Sequence, residues 1–235
     1  MRTGRLLNIH CEKEKHEPVH GVKFAAIAGF LGTVLFLAAN PGFAKSSSVK
    51  TRLSRDEIRR IENWESVVHV DKSEKHWKPT VYILMADPPP KVMHIVMQVQ
   101  NYSRFMPRVK KSTVVRRSGR NRMWAVMVTD LPWPLRNAWV AVRYEWSVQG
   151  GNHYRLDWSR YRGSMRKYRG RMDFYEWNEN HTLVKCTMQA VPDDFITLRQ
   201  LNNGMVWAAE QMLHSLRSRL DALRKKHSLS SWVPD

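Results

Sequence analysis

One stretch near the end of the chain limits the folds open to it. From Asn203 to Lys226 the apolar residues Met205, Ala208, Met212, Leu216, Leu220 and Leu223, with Ala209 and Leu213 beside them, recur at spacings of three and four. That spacing puts a stripe on one face of a helix. Glu210, Gln211, Arg217, Ser218, Arg219, Asp221 and Arg224 fill the other face. Asn203-Gly204 marks the expected start, and the Arg/Lys-rich end suits the negative pole of the helix dipole. A helix of this length is on the order of 35 Å long. Its stripe must be buried against something, and most of what precedes it reads as strands. The expected class is therefore α+β, with an antiparallel sheet wrapped around one long C-terminal helix.

The preceding elements follow in order. Ser54-Arg55-Asp56-Glu57 has the pattern of a capping box, and Ile58 and Ile61 continue at helical spacing, which predicts a short helix over Ser54–Asn63. Ser66–Val70 and Thr80–Ala86 read as strands. Pro88-Pro89-Pro90 ends the second and opens a helix with Val92, Ile95 and Val96 on its apolar face. A further short helix is expected around Tyr102–Met106. Strands then run over Val109–Arg117, Met123–Asp130, Trp139–Val148, Tyr154–Trp158, Tyr168–Trp177 and Thr182–Val191. Ser118-Gly119, Gly150-Gly151, the Arg160–Arg166 segment and Glu179-Asn180 are the expected turns, short enough for an antiparallel meander.

Alternation assigns faces. Val140, Val142, Tyr144 and Trp146 share one side of their strand, and Arg143, Glu145 and Ser147 the other. Tyr154, Leu156 and Trp158 oppose His153, Arg155 and Asp157, while Met172 and Phe174 oppose Arg171 and Asp173. Met123–Asp130 is apolar on both faces and stays unassigned.

The first 44 residues read as an address. Phe24–Ala39 is uncharged and apolar but too short for an ordinary membrane span. Lys23 precedes it, Pro41 breaks it, and Gly42-Phe43-Ala44 offers small residues for cleavage. Residues 1–44 are thus expected to be a secretory signal peptide cleaved after Ala44, the alternative being an uncleaved membrane anchor. The polar leader Met1–Gly21 carries Glu12, Glu14 and Glu17, unlike a short basic n-region, so translation from Val22 is the expectation. A Ser-rich linker over 45–53, one domain over 54–226 and a tail over 227–235 complete the division.

The formal charge is +18 over 235 residues. Such a balance invites nucleic acid or an anionic membrane surface. Export into the periplasm makes nucleic acid the poorer partner and leaves the membrane. Cleavage would remove Cys11, leaving Cys186 with no intramolecular disulfide partner. The basic residues crowd one region: Arg155, Arg160, Arg162, Arg166, Lys167, Arg169 and Arg171, interleaved with Tyr154, Trp158, Tyr161 and Tyr168. They form either a solvated outer face or a membrane-docking patch, for which Arg160, Arg162, Arg166, Lys167 and Arg169 are the candidates.

Sequence signatures of hydrolases, zinc proteases and nucleotide-binding loops are absent. His76, His94, His153, His181 and His214 are scattered, Asp193-Asp194 reads as a loop pair, and Cys186 reads as a small buried residue between Val184 and Met188. No metal or cofactor is expected.

Two local stretches carry a resemblance. Gln98–Val115 (QVQNYSRFMPRVKKSTVV) and Asp130–Asn137 (DLPWPLRN) are similar to segments of the START-like (SRPBCC) helix-grip superfamily, which includes START lipid-transfer domains, polyketide cyclases and plant pathogenesis-related allergens. The closer likeness is to its polyketide cyclase and coenzyme Q-binding branch. Ala138 and Trp139 stand where relatives often carry an Arg and an acidic residue. The resemblance implies a hydrophobic ligand, such as a lipid or quinone, held between sheet and long helix by a monomeric, non-enzymatic binding or transfer protein. Met127, Val142, Tyr144, Trp146, Trp158, Phe174, Met205 and Met212 are the candidate wall. The alternative is a cyclase or aromatase, which would need a polar group such as Arg136, Asp157 or Tyr102 inside the cavity. A protein-binding module is a third reading, against which the export signal counts.

Overall fold

The computed structural model describes residues 53–131, 137–150, 152–193 and 197–226. The expected signal peptide, leader and tail lie outside these residues, as do Arg136 and most of the Asp130–Asn137 loop.

Helix α1 (Arg55–Glu62) opens on the expected capping box: Ser54 accepts from the Glu57 N–H, and the Glu57 carboxylate accepts from the Ser54 N–H. Two strands follow, β1 (Val67–Asp71) and β2 (Lys78–Ala86), then α2 (Pro89–Val96), entered through its prolines. A 3₁₀ helix over Val99–Arg104 replaces the helix expected at Tyr102–Met106. Six strands run in series: β3 (Val109–Ser118), β4 (Arg122–Thr129), β5 (Ala138–Val148), β6 (His153–Gly163), β7 (Met165–Asn178) and β8 (His181–Pro192). Helix α3 (Leu198–Lys226) closes the domain.

All eight strands form one antiparallel sheet in the order β1-β2-β8-β7-β6-β5-β4-β3. The last strand therefore zips onto the second, and the rest is a meander. The concave face carries Val81, Ile83, Met85, Val184, Cys186, Met172, Phe174, Leu156, Trp158, Val142, Tyr144, Met123 and Met127, in one core with α2 and with Ala209, Leu213, Leu216 and Leu220 of α3. β4, which alternation leaves unassigned, turns Met123, Ala125 and Met127 inward. The convex face holds a smaller core under α1, built from Ile61, Val67, Tyr82, Leu84 and Leu183.

Three expectations shift. Arg160–Arg166 is not a long turn: β6 and β7 continue through it, and the reversal falls at Gly163-Ser164. Gly163 is required there, because its φ is 137° and a Cβ would stand 2.3 Å from the Trp139 carbonyl oxygen. Helix α3 begins five residues before Asn203. The Thr197 hydroxyl accepts from the Gln200 N–H, and the Gln200 side chain accepts from the Thr197 N–H, which is a second capping box. The buried stripe of α3 centres on Ala209, Leu213, Leu216 and Leu220, with Ala208, Met212 and Leu223 at its margins.

The polar face of α3 is not simply solvated. Arg217 donates to the Trp64 carbonyl (2.8 Å), and Ser66 donates to Glu210 (2.6 Å). These bonds hold the α1–β1 connection, where Trp64 sits at φ 64°, a strained value for a bulky residue.

Candidate functional site

Strand pairing decides which side chains share the concave face, since directly opposed residues point the same way. Tyr144 on β5 is opposite both Met123 on β4 and Trp158 on β6; Trp158 is opposite Gly170 on β7, and Gly170 opposite Met188 on β8. This row runs across the middle of the sheet. The next is Trp146, Leu156, Met172, Cys186 and Val81.

Of the eight expected wall residues, Met127, Val142, Tyr144, Trp158 and Phe174 are buried in the concave core, and Trp146 and Met212 pack against it. Met205 lies elsewhere. It joins Val191, Leu201 and Trp77 in a separate cluster at the N-terminal end of α3. The helix that carries it is longer than its apolar stripe suggests, so its first turns reach past the main core.

Polar groups inside this wall are few. The Tyr102 hydroxyl donates to the Val96 carbonyl (2.6 Å), and the Tyr144 hydroxyl reaches only the Met127 thioether (3.7 Å). Burial drives the Tyr144 phenol well above its ordinary range and that of Tyr168 up to about 12, and the neighbouring phenols add to the shift at Tyr144. The Cys186 thiol is likewise raised by burial, which makes it unreactive. Trp158 is 6% exposed. Its indole lies over Gly170, where a Cβ would stand 2.2 Å from Cζ2 and 2.7 Å from Cε2. Among the described residues its Nε1–H is the one buried side-chain polar group without a hydrogen-bond partner.

Of the three polar groups a catalytic reading would need, Arg136 lies outside the described residues, and the other two do not meet inside the core. Asp157 is on the convex face, paired with Arg171 at 2.7 Å. It falls one residue out of step with Trp158, and so points away from the core. Tyr102 is inside the core but already bonded to backbone. Among the described residues no three His, Cys, Asp or Glu side chains gather as a metal site. A cleft of about 360 Å³ opens beside α3, lined by Phe105, His214, Ser218 and Arg219 among others, and it shares no residue with the expected wall.

The five candidate docking residues divide. Lys167 is 3.9 Å from Glu74, and Arg169 donates twice to Gln189, which is buried. Arg160 donates to the Gly163 carbonyl. Arg162 and Arg166 are exposed and have no partner among the described residues. Tyr161 (71% exposed) and Trp139 (40%) stand at the same end of the sheet, where Trp139 and Ser164 exchange backbone and side-chain hydrogen bonds. The sequence groups all five cations, but only the partners named here separate structural from free ones.

Comparison with known proteins agrees with this architecture. Residues 85–194 match the family model described as polyketide cyclase / dehydrase and lipid transport. A STAR-related lipid transfer protein from Xanthomonas axonopodis superposes with a TM-score of 0.59 at 15% identity, covering 66% of this chain and 92% of that one. Human STARD10 gives 0.60 at 12% identity, covering 69% and 73%. The Zhui aromatase/cyclase from Streptomyces gives 0.50 at 11% identity, covering 69% and 100%. No curated protein matches the chain in sequence. With an eight-stranded antiparallel sheet closed on a long C-terminal helix, the described residues have the helix-grip fold seen in START-like proteins.

Proposed function

We propose that this domain binds a hydrophobic small molecule, a lipid or a quinone-like compound, between the concave face of the sheet and α3. The observation that carries the reading is the make-up of that face: methionines, aromatics and aliphatics with no ion pair among them, under one amphipathic helix. Methionine-rich walls adapt to flexible apolar guests, and concave apolar surfaces are the usual character of ligand sites. The likeness to lipid-transfer and aromatase/cyclase folds supports the same reading. Binding rather than catalysis is favoured because Asp157 lies outside the core and Cys186 is held as a thiol. Native mass spectrometry of gently extracted protein tests it. A stoichiometric lipid or quinone adduct is expected; protein that is uniformly empty and takes up no lipid from vesicles would overturn it.

The same reading includes export and docking on an anionic membrane. The apolar run Phe24–Ala39 supports export, and a mature N-terminus at Lys45 is the expected result of sequencing the processed protein. The unpaired Arg162 and Arg166, flanked by exposed Tyr161 and Trp139, support docking, since aromatics favour the lipid interface and each cation near an anionic surface contributes about 1 kcal/mol. Replacing both arginines by Glu should abolish flotation with phosphatidylglycerol vesicles and leave the melting temperature unchanged. Flotation like the parent's would reduce the patch to a solvated face.

A further inference from the structure

We infer that the bound molecule carries a neutral hydrogen-bond acceptor, a carbonyl or ether oxygen set in an apolar body, and that the Trp158 indole N–H is its anchor. This rests on the hydrophobic-ligand reading and narrows it to a chemical class.

The argument starts from how this sheet treats its other polar groups. On the convex face Asp173, 4% exposed, accepts from Arg155, and Gln189, 1% exposed, accepts from Arg169. Thr182 on the concave face, fully buried, donates to the Asp87 carbonyl at 2.6 Å, and buried Ser112 donates to the Val99 carbonyl at 2.6 Å. A buried donor left unmade costs about 1–3 kcal/mol. Among the described residues the chain satisfies such groups elsewhere and leaves one at Trp158.

The orphan is also held in place. Gly170 removes the side chain that would otherwise occupy the space of the indole, and the ring edge bearing Cε2, the carbon bonded to Nε1, lies over it. A glycine inside a strand weakens the strand, so its presence marks a close approach. Tyr144 stands opposite Trp158 on the neighbouring strand, and its hydroxyl has only a thioether for a partner. Tyr168, two residues before Gly170 and so on the same face, makes no hydrogen bond among the described residues. The indole N–H is the unmet donor, and the two phenol hydroxyls on the same face can donate as well.

The charge of the guest follows. Burial holds the phenols and the thiol of this region in their neutral forms. Among the described residues no lysine or arginine is buried in the core to balance a carboxylate or phosphate, and an unpaired charge there is strongly disfavoured. A neutral oxygen accepts from the indole without that penalty.

The test uses three probes of one chain length: tetradecane, 2-tetradecanone and tetradecanoate. Binding of each is measured by displacement of a fluorescent fatty probe from the full chain. The ketone is expected to bind about tenfold more tightly than the alkane, and the carboxylate no better than the alkane. Trp158→Phe keeps an apolar ring and should erase the preference while the alkane still binds. In the parent, the Trp158 ring N–H resonance, assigned by its loss in the variant, should move downfield with the ketone and not with the alkane. If no probe binds, the hydrophobic-ligand reading itself fails. If ketone and alkane bind equally, or the preference survives Trp158→Phe, or the resonance stays still with ketone bound, the anchor is overturned and the broader reading stands. Should Trp158→Phe not fold, the resonance is assigned through Gly170→Ala, whose new Cβ perturbs that ring alone among the tryptophans.

Discussion

Two rows of side chains, one residue apart along each strand, cross the same sheet on opposite faces. On the concave side run Tyr144, Trp158, Gly170 and Met188; on the convex side run Arg122, Glu145, Asp157, Arg171, Thr187 and Thr80. The convex row sets two acidic residues between two arginines and is paired throughout: Arg122–Glu145 at 2.7 Å, Asp157–Arg171 at 2.7 Å, and the Thr80 and Thr187 hydroxyls at 2.9 Å. The concave row has bulk, a glycine and an orphan donor. The convex row is complete as it stands, whereas the concave row lacks a partner that a ligand can supply. The difference sets a face closed by its own polar pairs against a face whose apolar packing leaves one donor unpartnered.

The comparison breaks most severely if the concave core is not what holds the fold. Leu216→Ala, fully buried on α3, should lower stability by about 2–5 kcal/mol in urea unfolding. A loss below that of Arg217→Ala would show that the helix grips through its polar contacts instead. Gly170→Ala comes next. Its Cβ meets both the Trp158 ring and the Thr187 carbonyl, and overpacking of that kind costs about 1–3 kcal/mol. Unchanged stability would mean the indole can leave its place over the glycine. On the convex side Arg171→Ala should cost less than about 1 kcal/mol, because the pair it breaks is exposed. A larger loss would make the charged row a structural element in its own right.

The smallest effect is a pH dependence at the edge of the convex face. Hydrogen bonds from His69 and from Ser54 hold the Glu57 carboxyl at about 2, below its ordinary 4.5. Its folded pKa is depressed, so its contribution is complete above about 4.5 and disappears as pH falls through 2. The stability gap between the parent and Glu57→Gln should therefore narrow over that window in acid titrations at constant salt. A gap independent of pH would remove the carboxylate from the account.

Much of this contrast is legible in the residue pattern alone. Alternation places Val142, Tyr144, Trp158 and Phe174 on one face and Glu145, Asp157 and Arg171 on the other, because a half-buried strand must alternate. The hairpin tip is not legible in this way, because within Arg160–Arg166 only Met165 is buried, so the segment carries no apolar alternation and its polarity reads as a turn. The start of α3 is masked by Asn203-Gly204, a strong breaker, although Thr197-Leu198-Arg199-Gln200 carries the capping signal. Gly170 within a strand pattern is a readable hint of close approach. What lies over it is not readable, since that depends on the direction in which the Trp158 ring leans.

The pairing of β2 with β8 has a consequence for how the domain is made. Thr80 meets Thr187, 107 residues later, and Thr182 donates to the Asp87 carbonyl across 95. Neither contact can form while the chain emerges until β8 itself has been reached, its first residues for the Thr182 bond and its middle for Thr187. β2, buried along almost its whole length in the finished domain, must wait unzipped with an apolar edge in the open. Closing a loop of that size before its contacts reward it makes folding slow. The interval before the seam closes is when the nascent domain is most exposed to aggregation and most in need of a chaperone.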